Sequence, residues 1–276
     1  MSDQDTVKRH HFHKANRSLQ AYAFFFMFVL YAPIMFIPLF SFSSGLYIRF
    51  PIDGWTLQWY GDLWERTAVL NALKNSVRVG VSVAIVSTIL GIFAAKALVR
   101  YRIPGKGPII GFILLPLVVP PIIFGVALLL MVNALGIPLS LYTIAAGHII
   151  ICLPFAIATL LPRFEGYDAA MEEAAADLGE NSWWVFWRVT VPIILPGIVA
   201  SLLLTFTVSF DEFVMAFFLG GTDLTLPLYV WGQLRIPRAF PVVLALGTLI
   251  LLFSFLLVFL GLRIGRRGAI KLVDRD

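Results

Sequence analysis

The sequence has little charge for its length. Asp, Glu, Lys and Arg make up only 13% of the 276 residues, whereas 59% are hydrophobic and the mean hydropathy is +0.89. A soluble domain has about a quarter of its residues charged. The net charge of +5 does not indicate nucleic acid, because the basic residues lie at the ends of apolar segments rather than in one patch. Most of the surface is therefore expected to face lipid.

The chain also lacks the usual signs of catalysis. The only cysteine, Cys152, lies in an apolar run, which excludes a disulfide within the chain. No GxxxxGK[ST] phosphate loop occurs, and RIPGKGP at 102–108 has the wrong spacing and no following Ser or Thr. HExxH and GxSxG are absent as well. The sequence therefore predicts a non-enzymatic chain with no metal site, no catalytic residue and no cofactor of its own.

What the sequence has instead is a series of long apolar segments, and a helix needs about 20 apolar residues to cross the hydrocarbon core. The stretch 107–162 carries no charged residue, and the turn signal NALGIP at 133–138 divides it. We expect an all-α membrane protein whose single domain, residues 19–264, has six spans. The spans lie at about 19–42, 73–99, 108–132, 139–161, 193–219 and 240–263.

Basic residues predict the orientation of these spans, because cytoplasmic loops are enriched in Lys and Arg. They concentrate in the N-terminal tail 1–18, the loop after span two, the loop 163–192 and the C-terminal tail 265–276. The opposite loops hold only Arg49, Arg66, Lys74, Arg235 and Arg238. Both termini and the loop 163–192 are therefore expected in the cytoplasm.

The loop between spans four and five predicts a short amphipathic helix of about three turns. Asp168 can cap its start, Glu172 and Glu173 fall where the helix dipole favours anions, and Gly179 can end it. A helix this short is not stable alone in water, so packing must support it. Periodicity leaves open whether a partner or only the membrane surface covers it.

A second helix can follow, capped by Asn181 or Ser182. Its aromatic residues are either membrane-interface anchors or packing residues: Trp183, Trp184, Phe186 and Trp187.

Two acids lie within span five, where an unpaired carboxylate costs at least about 2.5–3.5 kcal/mol. Asp211 and Glu212 accompany an aromatic stripe made of Phe206, Phe210, Phe213 and Phe217. Carboxylates and ring faces suit a cationic substrate, so Asp211, Glu212, Phe210 and Phe206 are candidates for a substrate pathway. The alternative is that the rings face lipid and the acids pair with Arg235 or Arg238.

Three further polar residues lie within predicted spans. We interpret His148 as a hydrogen-bonding bridge between helices in preference to a proton relay, and Asn75 and Ser76 as helix contacts.

One motif in the loop has a specific spacing: EAA at 173–175, Gly179 after three residues, and VTVP at 189–192 after nine more. This resembles the EAA–G–I-x-L-P signature of permease subunits in binding-protein-dependent ABC importers, with Val189 and Val191 in place of Ile and Leu. The resemblance implies the MetI-like, type I permease fold and a coupling helix seated in an ATPase subunit. The implied coupling residues are Glu172, Glu173, Ala174, Ala175, Asp177, Leu178, Gly179 and Pro192.

Three other segments, at 31–42, 55–64 and 209–235, are similar to the spermidine/putrescine branch and its PotC-type subunit. That implies a PotB-type second permease, two PotA-type ATPases holding ATP and Mg, and a PotD-type periplasmic binding protein, in a bacterial inner membrane. Another cargo, such as ferric iron, a different organic cation or an opine-like compound, is the first alternative. A stand-alone channel or secondary carrier is the second.

Overall fold

The computed structural model describes residues 17–273, with side chains described at 19–257 and 259. No side chain of the two predicted tails, 1–18 and 265–276, is among them. Within the described residues the chain is helical, and a single antiparallel bridge joins Ser43 to Trp55. The helices are α1 (Arg17–Ser41), α2 (Gln58–Glu65), α3 (Thr67–Arg100), α4 (Lys106–Val118), α5 (Pro121–Ala134), α6 (Leu141–Glu165), α7 (Ala170–Asp177), α8 (Ser182–Val185), α9 (Val191–Asp211), α10 (Val214–Leu219), α11 (Leu226–Gln233) and α12 (Phe240–Val273).

Five stretches are helical, long and apolar enough to cross a membrane. They are Leu19–Ser41, Thr67–Arg100, Leu141–Glu165, Ser182–Asp211 and Pro237–Leu257. A sixth crossing results if the bent pair α4–α5 counts as one span. The predicted spans thus correspond to helices of the structure, with two differences in continuity.

The first difference is in the predicted span 108–132, which is two helices bent by 103° instead of one. Val119 and Pro120 have extended backbones between α4 and α5. Pro120 and Pro121 lack N–H donors, and a proline disfavours the helical conformation of the residue before it. The predicted span 193–219 is likewise broken, between Asp211 and Val214.

Three helices, α3, α6 and α9, pack against one another at the centre of the bundle. Small residues bring them close: a Cβ on Gly91 of α3 would lie 2.8 Å from the Cβ of Ala156 in α6. The first helix, α1, lies outside this core against α12 and leaves most of its side chains exposed. The central helices therefore move together if any one of them is displaced.

Buried polar side chains also join the central helices. His148 Nδ1 lies 2.8 Å from Ser209 Oγ, and Thr88 Oγ1 lies 2.9 Å from Ser201 Oγ. Asn75 donates to the Leu224 carbonyl at 3.0 Å, and Ser76 Oγ accepts from the Leu226 N–H at 2.7 Å. The interpretation of His148 as a helix bridge, and of Asn75 and Ser76 as structural contacts, is confirmed.

Candidate functional site

The helix predicted in the loop is α7, Ala170–Asp177, and its eight residues make about two turns rather than the expected three. Asp168 lies one residue before the N-cap position, which Ala169 occupies, and its Oδ1 accepts from the Ala170 N–H at 3.0 Å. The first helical turn holds Glu172 and Glu173, as predicted.

Gly179 ends α7 with a left-handed backbone, φ +93°. The Gly179 N–H donates to the Ala176 carbonyl at 2.9 Å, and the Glu180 N–H donates to the Ala175 carbonyl at 3.2 Å. These two bonds are the Schellman arrangement, which requires a positive φ that glycine adopts without strain. The prediction that Gly179 terminates the helix is confirmed.

Glu172 points into the protein, where its carboxylate joins several segments. Its Oε1 accepts from Thr190 Oγ1 at 2.6 Å and from the Tyr167 hydroxyl. Its Oε2 lies 3.3 Å from Lys96 Nζ of α3. One carboxylate therefore ties α7 to α3, to the segment after α6 and to the turn before α9.

The surroundings of Glu172 favour its ionised form. Burial, the largest influence, raises the pKa of Glu172, but hydrogen bonds from Thr190 and Tyr167 and the charge of Lys96 outweigh it. The pKa of Glu172 therefore lies below its ordinary value of 4.5. The carboxylate is thus a negatively charged junction whenever the loop is folded near neutral pH.

Tyr167 is itself held by a neighbouring cation. The Arg100 guanidinium lies 4.3 Å from the centre of the Tyr167 ring and donates to the Tyr167 carbonyl at 3.2 Å. Arg100 is the last residue of α3, so this contact fixes the tyrosine that bonds Glu172 to a spanning helix.

The opposite side of α7 is open. Met171 is 51% exposed and Leu178 is 88% exposed, and Glu173, Ala174 and Asp177 are exposed as well. Exposed apolar side chains grouped on one short helix are typical of an interaction surface. Of the residues predicted for coupling, Glu172 faces inward and Ala175 is half-buried, whereas the others are exposed: Glu173, Ala174, Asp177, Leu178, Gly179 and Pro192.

The segment after α7 is a continuous run into α9. Asn181 Oδ1 accepts from the Trp184 N–H at 3.0 Å and begins α8, and Glu180 forms an ion pair with Arg188. A π-helical turn at Phe186–Thr190 follows, closed by a bond from the Val191 N–H to the Phe186 carbonyl. Pro192 lies in the first turn of α9 and has no N–H, so it cannot continue the hydrogen bonds of the preceding helical turn.

The two acids of span five lie at a break in the helix and have different surroundings. Asp211 is the last residue of α9 and is exposed. Glu212 has an extended backbone, and its Oε1 accepts from the Val214 N–H at 2.8 Å and the Met215 N–H at 3.1 Å. Glu212 therefore caps α10, and only Asp211 leaves its carboxylate open.

This break also divides the predicted aromatic stripe. Phe206 stacks with Phe210 at 5.6 Å between ring centres, whereas Phe213 contacts Phe217 at 5.7 Å and Trp231 at 5.5 Å. The stripe is two separate pairs because the residues on either side of Glu212 no longer share one helical face.

Phe210 lies in the apolar core rather than beside Asp211. It is 5% exposed, and its ring centre lies 5.7 Å from that of Phe253 in α12. It also borders a cavity of about 420 Å³ that only apolar and aromatic side chains line. The placement of Phe210 supports packing rather than substrate contact.

The alternative pairing of the acids is not observed either. Among the described side chains, no ion pair links Asp211 or Glu212 to Arg235 or Arg238. The Arg235 guanidinium instead lies 5.6 Å from the centre of the Trp231 ring.

The partners of Glu172 were missed by sequence reasoning. Lys96 could have been recognised as a partner of an acid, because it is a lone cation near the end of an apolar span. Nothing in the sequence identifies Tyr167 and Thr190 as partners of Glu172, because these contacts depend on how α6 and α9 meet around α7.

The sequence profile described as "Binding-protein-dependent transport system inner membrane component" matches residues 87–268, which include α7. The chain belongs to this family. It is therefore a multi-pass membrane subunit of an ABC importer, and permeases of this kind work with a second permease, ATPases and a periplasmic binding protein.

Two relatives come from Escherichia coli (strain K12). The chain is 33% identical over 240 residues to "Spermidine/putrescine transport system permease protein PotC", covering 86% of this chain and 89% of the relative. It is 36% identical over 230 residues to "Putrescine transport system permease protein PotI", covering 80% of this chain and 81% of the relative.

A solved structure agrees with the fold. A chain of a bacterial alginate ABC transporter, in complex with an alginate pentasaccharide-bound periplasmic protein, superposes with a TM-score of 0.64. The match covers 91% of this chain and 93% of the other at 17% identity. At that identity the match establishes only the shared architecture of ABC importer permeases.

Proposed function

We propose that this permease belongs to an ATP-driven importer of polyamines such as spermidine and putrescine. The observation that carries the proposal is the 33% and 36% identity to permeases named for these compounds, over at least 80% of the chain. The proposed partners are a PotB-type permease, two PotA-type ATPases and a PotD-type binding protein in a bacterial inner membrane. ATP and Mg would bind only the ATPases.

The surroundings of Asp211 suit a polyamine. Its exposed carboxylate ends α9, Phe213 follows two residues later in the break, and the Phe213 ring lies 5.5 Å from that of Trp231 in α11. A carboxylate pairs with an ammonium group, and ring faces attract cations while covering methylenes. We assign Asp211 to the substrate pathway, and we assign Glu212 to holding the break that presents it.

The exposed face of α7 is the proposed seat of the ATPase. Glu172 is bonded to the bundle, whereas four neighbouring side chains are exposed: Glu173, Ala174, Asp177 and Leu178. Movement of a docked ATPase would then be carried by the Glu172 carboxylate to Lys96 of α3 and to Thr190 at the start of α9. The proposed topology has six crossings, with α4 and α5 as one, and both termini in the cytoplasm.

Reconstituted transport tests this function. The complete importer in proteoliposomes, with its binding protein outside and ATP inside, should accumulate labelled spermidine or putrescine. Omitting ATP provides the matched control and should abolish uptake. Calorimetry of the binding protein with polyamines, ferric iron and opine-like compounds identifies the cargo directly.

The outcomes separate the alternatives. A binding protein that ignores polyamines but binds another compound would contradict the cargo and leave the importer class intact. Uptake that continues without ATP or the ATPases would contradict the importer mechanism and favour a channel or secondary carrier.

A further inference from the structure

Two tryptophans before α9 form an exposed pair. Trp183 is 63% exposed and Trp187 is 47% exposed. They lie one helical turn apart, with ring centres 5.7 Å apart in an edge-to-face arrangement. Tryptophan is among the largest apolar side chains, so leaving two together in water would be unfavourable.

The other side of this segment is fixed against the protein. Val185 and Thr190 are buried, and the Phe186 ring stacks on Phe93 of α3 with ring centres 6.2 Å apart. The segment cannot rotate to bury Trp183 and Trp187 without breaking these contacts. The pair must therefore face whatever surrounds the bundle at this level.

The length of the helix that contains the two tryptophans indicates what surrounds them. Ser182–Asp211 is one helical stretch of 30 residues, of which α9 is the last 21. At 1.5 Å per residue, α9 is about 31 Å long, close to the hydrocarbon thickness of about 30 Å. The nine residues before α9 add about 14 Å on that one side, which is more than one headgroup layer of about 5–8 Å.

Trp187 precedes α9 by one turn and Trp183 by two. The two tryptophans lie about 6 Å and 12 Å before the start of α9, so Trp187 falls within a headgroup layer of about 5–8 Å and Trp183 lies just outside it, with its ring against that of Trp187. Tryptophan is enriched in this layer, because its ring is largely apolar and its N–H can bond to headgroups.

We infer that Trp183 and Trp187 bind the phospholipid interface and hold the start of α9 at a fixed depth. The inference rests on membership of the permease family and not on the cargo. Arg188 pairs with Glu180 and lies 4.8 Å from the centre of the Trp184 ring, so its charge is already engaged. The contact is with the headgroup layer, and anionic lipid is not required.

The position of this contact gives it a mechanical role. The anchored segment joins the end of α7 through the Glu180–Arg188 pair, and the π-helical turn Phe186–Thr190 joins it to α9. An anchor there allows α7 to tilt α9 instead of sliding it along the membrane normal.

Depth measurement by spin labelling tests the inference in the complete importer. A Cys152→Ser chain with cysteine-free partners receives one label site: Trp183→Cys, Trp187→Cys, Leu195→Cys or Leu178→Cys. Relative accessibility to oxygen and a water-soluble nickel chelate is read in nanodiscs of neutral lipid. Leu195 is an exposed residue of α9 and reports hydrocarbon, whereas Leu178, an exposed residue at the end of α7, gives the water reference in matched samples without the ATPases.

Labels at 183 and 187 are expected at depths between those two references, and unchanged when the ATPases are removed. Nickel accessibility equal to that at 178 would overturn the lipid contact. Protection at 183 and 187 that vanishes with the ATPases would overturn it in favour of a protein contact. Protection at 178 by the ATPases separately tests the seat on α7.

A transport assay provides the second test. Trp183→Ser with Trp187→Ser is expected to lose uptake per ATP hydrolysed, whereas Trp183→Tyr with Trp187→Tyr retains it because tyrosine shares the interfacial preference. Equal coupling in both pairs would overturn the anchoring role.

Discussion

Lys96 of α3 and Glu172 of α7 form an ion pair of 3.3 Å, with 22% and 17% of their side chains exposed. The pair links a spanning helix directly to the helix of the EAA motif. Displacing α7 must therefore either move α3 or separate two largely buried charges. Thr190 and Tyr167 strengthen the same junction, so the loop behaves as part of the bundle.

Glu172→Gln should destabilise the protein, whereas Glu173→Gln should not. The first change removes a charge that holds Lys96, Thr190 and Tyr167, at a cost on the order of 1–3 kcal/mol. The second affects an exposed side chain. Thermal unfolding of the two purified variants measures the difference. Equal melting temperatures would contradict the inward role of Glu172.

Glu173→Lys should leave insertion and stability unchanged but reduce coupling to the ATPase. It reverses a charge on the exposed face of α7, where the ATPase is proposed to sit. Uptake divided by ATP hydrolysis in proteoliposomes is the measurement. Wild-type coupling in this variant would count against docking at α7.

The contribution of Glu172 should depend on acid pH. Its pKa is lowered in the folded protein, so its ionised form stabilises the fold fully above the ordinary value of 4.5. That stabilisation is lost as the pH falls through the lower, folded pKa. The difference in melting temperature between wild type and Glu172→Gln should be constant from neutral pH to about 4.5 and shrink below it. A difference that persists undiminished in stronger acid would contradict the assigned charge.

Gly179→Ala should destabilise α7 more than Gly111→Ala destabilises α4. A Cβ at either position meets no atom within 4 Å, but only Gly179 has a positive φ, +93°. The left-handed conformation costs a residue with a Cβ about 1–2 kcal/mol. Unfolding midpoints compare the two variants directly. Gly179→Arg should in addition uncouple transport, because it places a bulky cation at the end of the exposed face.

Asp211→Asn should reduce polyamine uptake without loss of stability, because its carboxylate is exposed and caps no helix. Glu212→Ala should instead lower stability by about 0.5–2 kcal/mol, because α10 loses its cap. The double change Asp211→Asn with Glu212→Gln should assemble normally and transport poorly. Full uptake by the double variant would remove Asp211 from the pathway.

Local features of the chain were predictable from sequence. Apolar runs of spanning length identified the membrane helices, and Gly179 was recognised as the end of α7, because both depend on residues close in the chain. Two adjacent prolines, Pro120 and Pro121, indicate a kink inside the predicted span, because each lacks an N–H donor. The sequence does not give the size of the bend, which is 103° in the structure.

Hydropathy and motif spacing are properties of the chain, and they were sufficient to predict a membrane permease with an acidic, alanine-rich helix between two spans. The packing of the folded chain turns Glu172 inward while Glu173 stays exposed, and it makes Glu212 the cap of α10 while Asp211 stays open. Neighbouring residues of the same type share their local preferences. What separates them is contact with distant segments, such as Lys96, or a break in the helix, and neither is encoded in the two residues themselves.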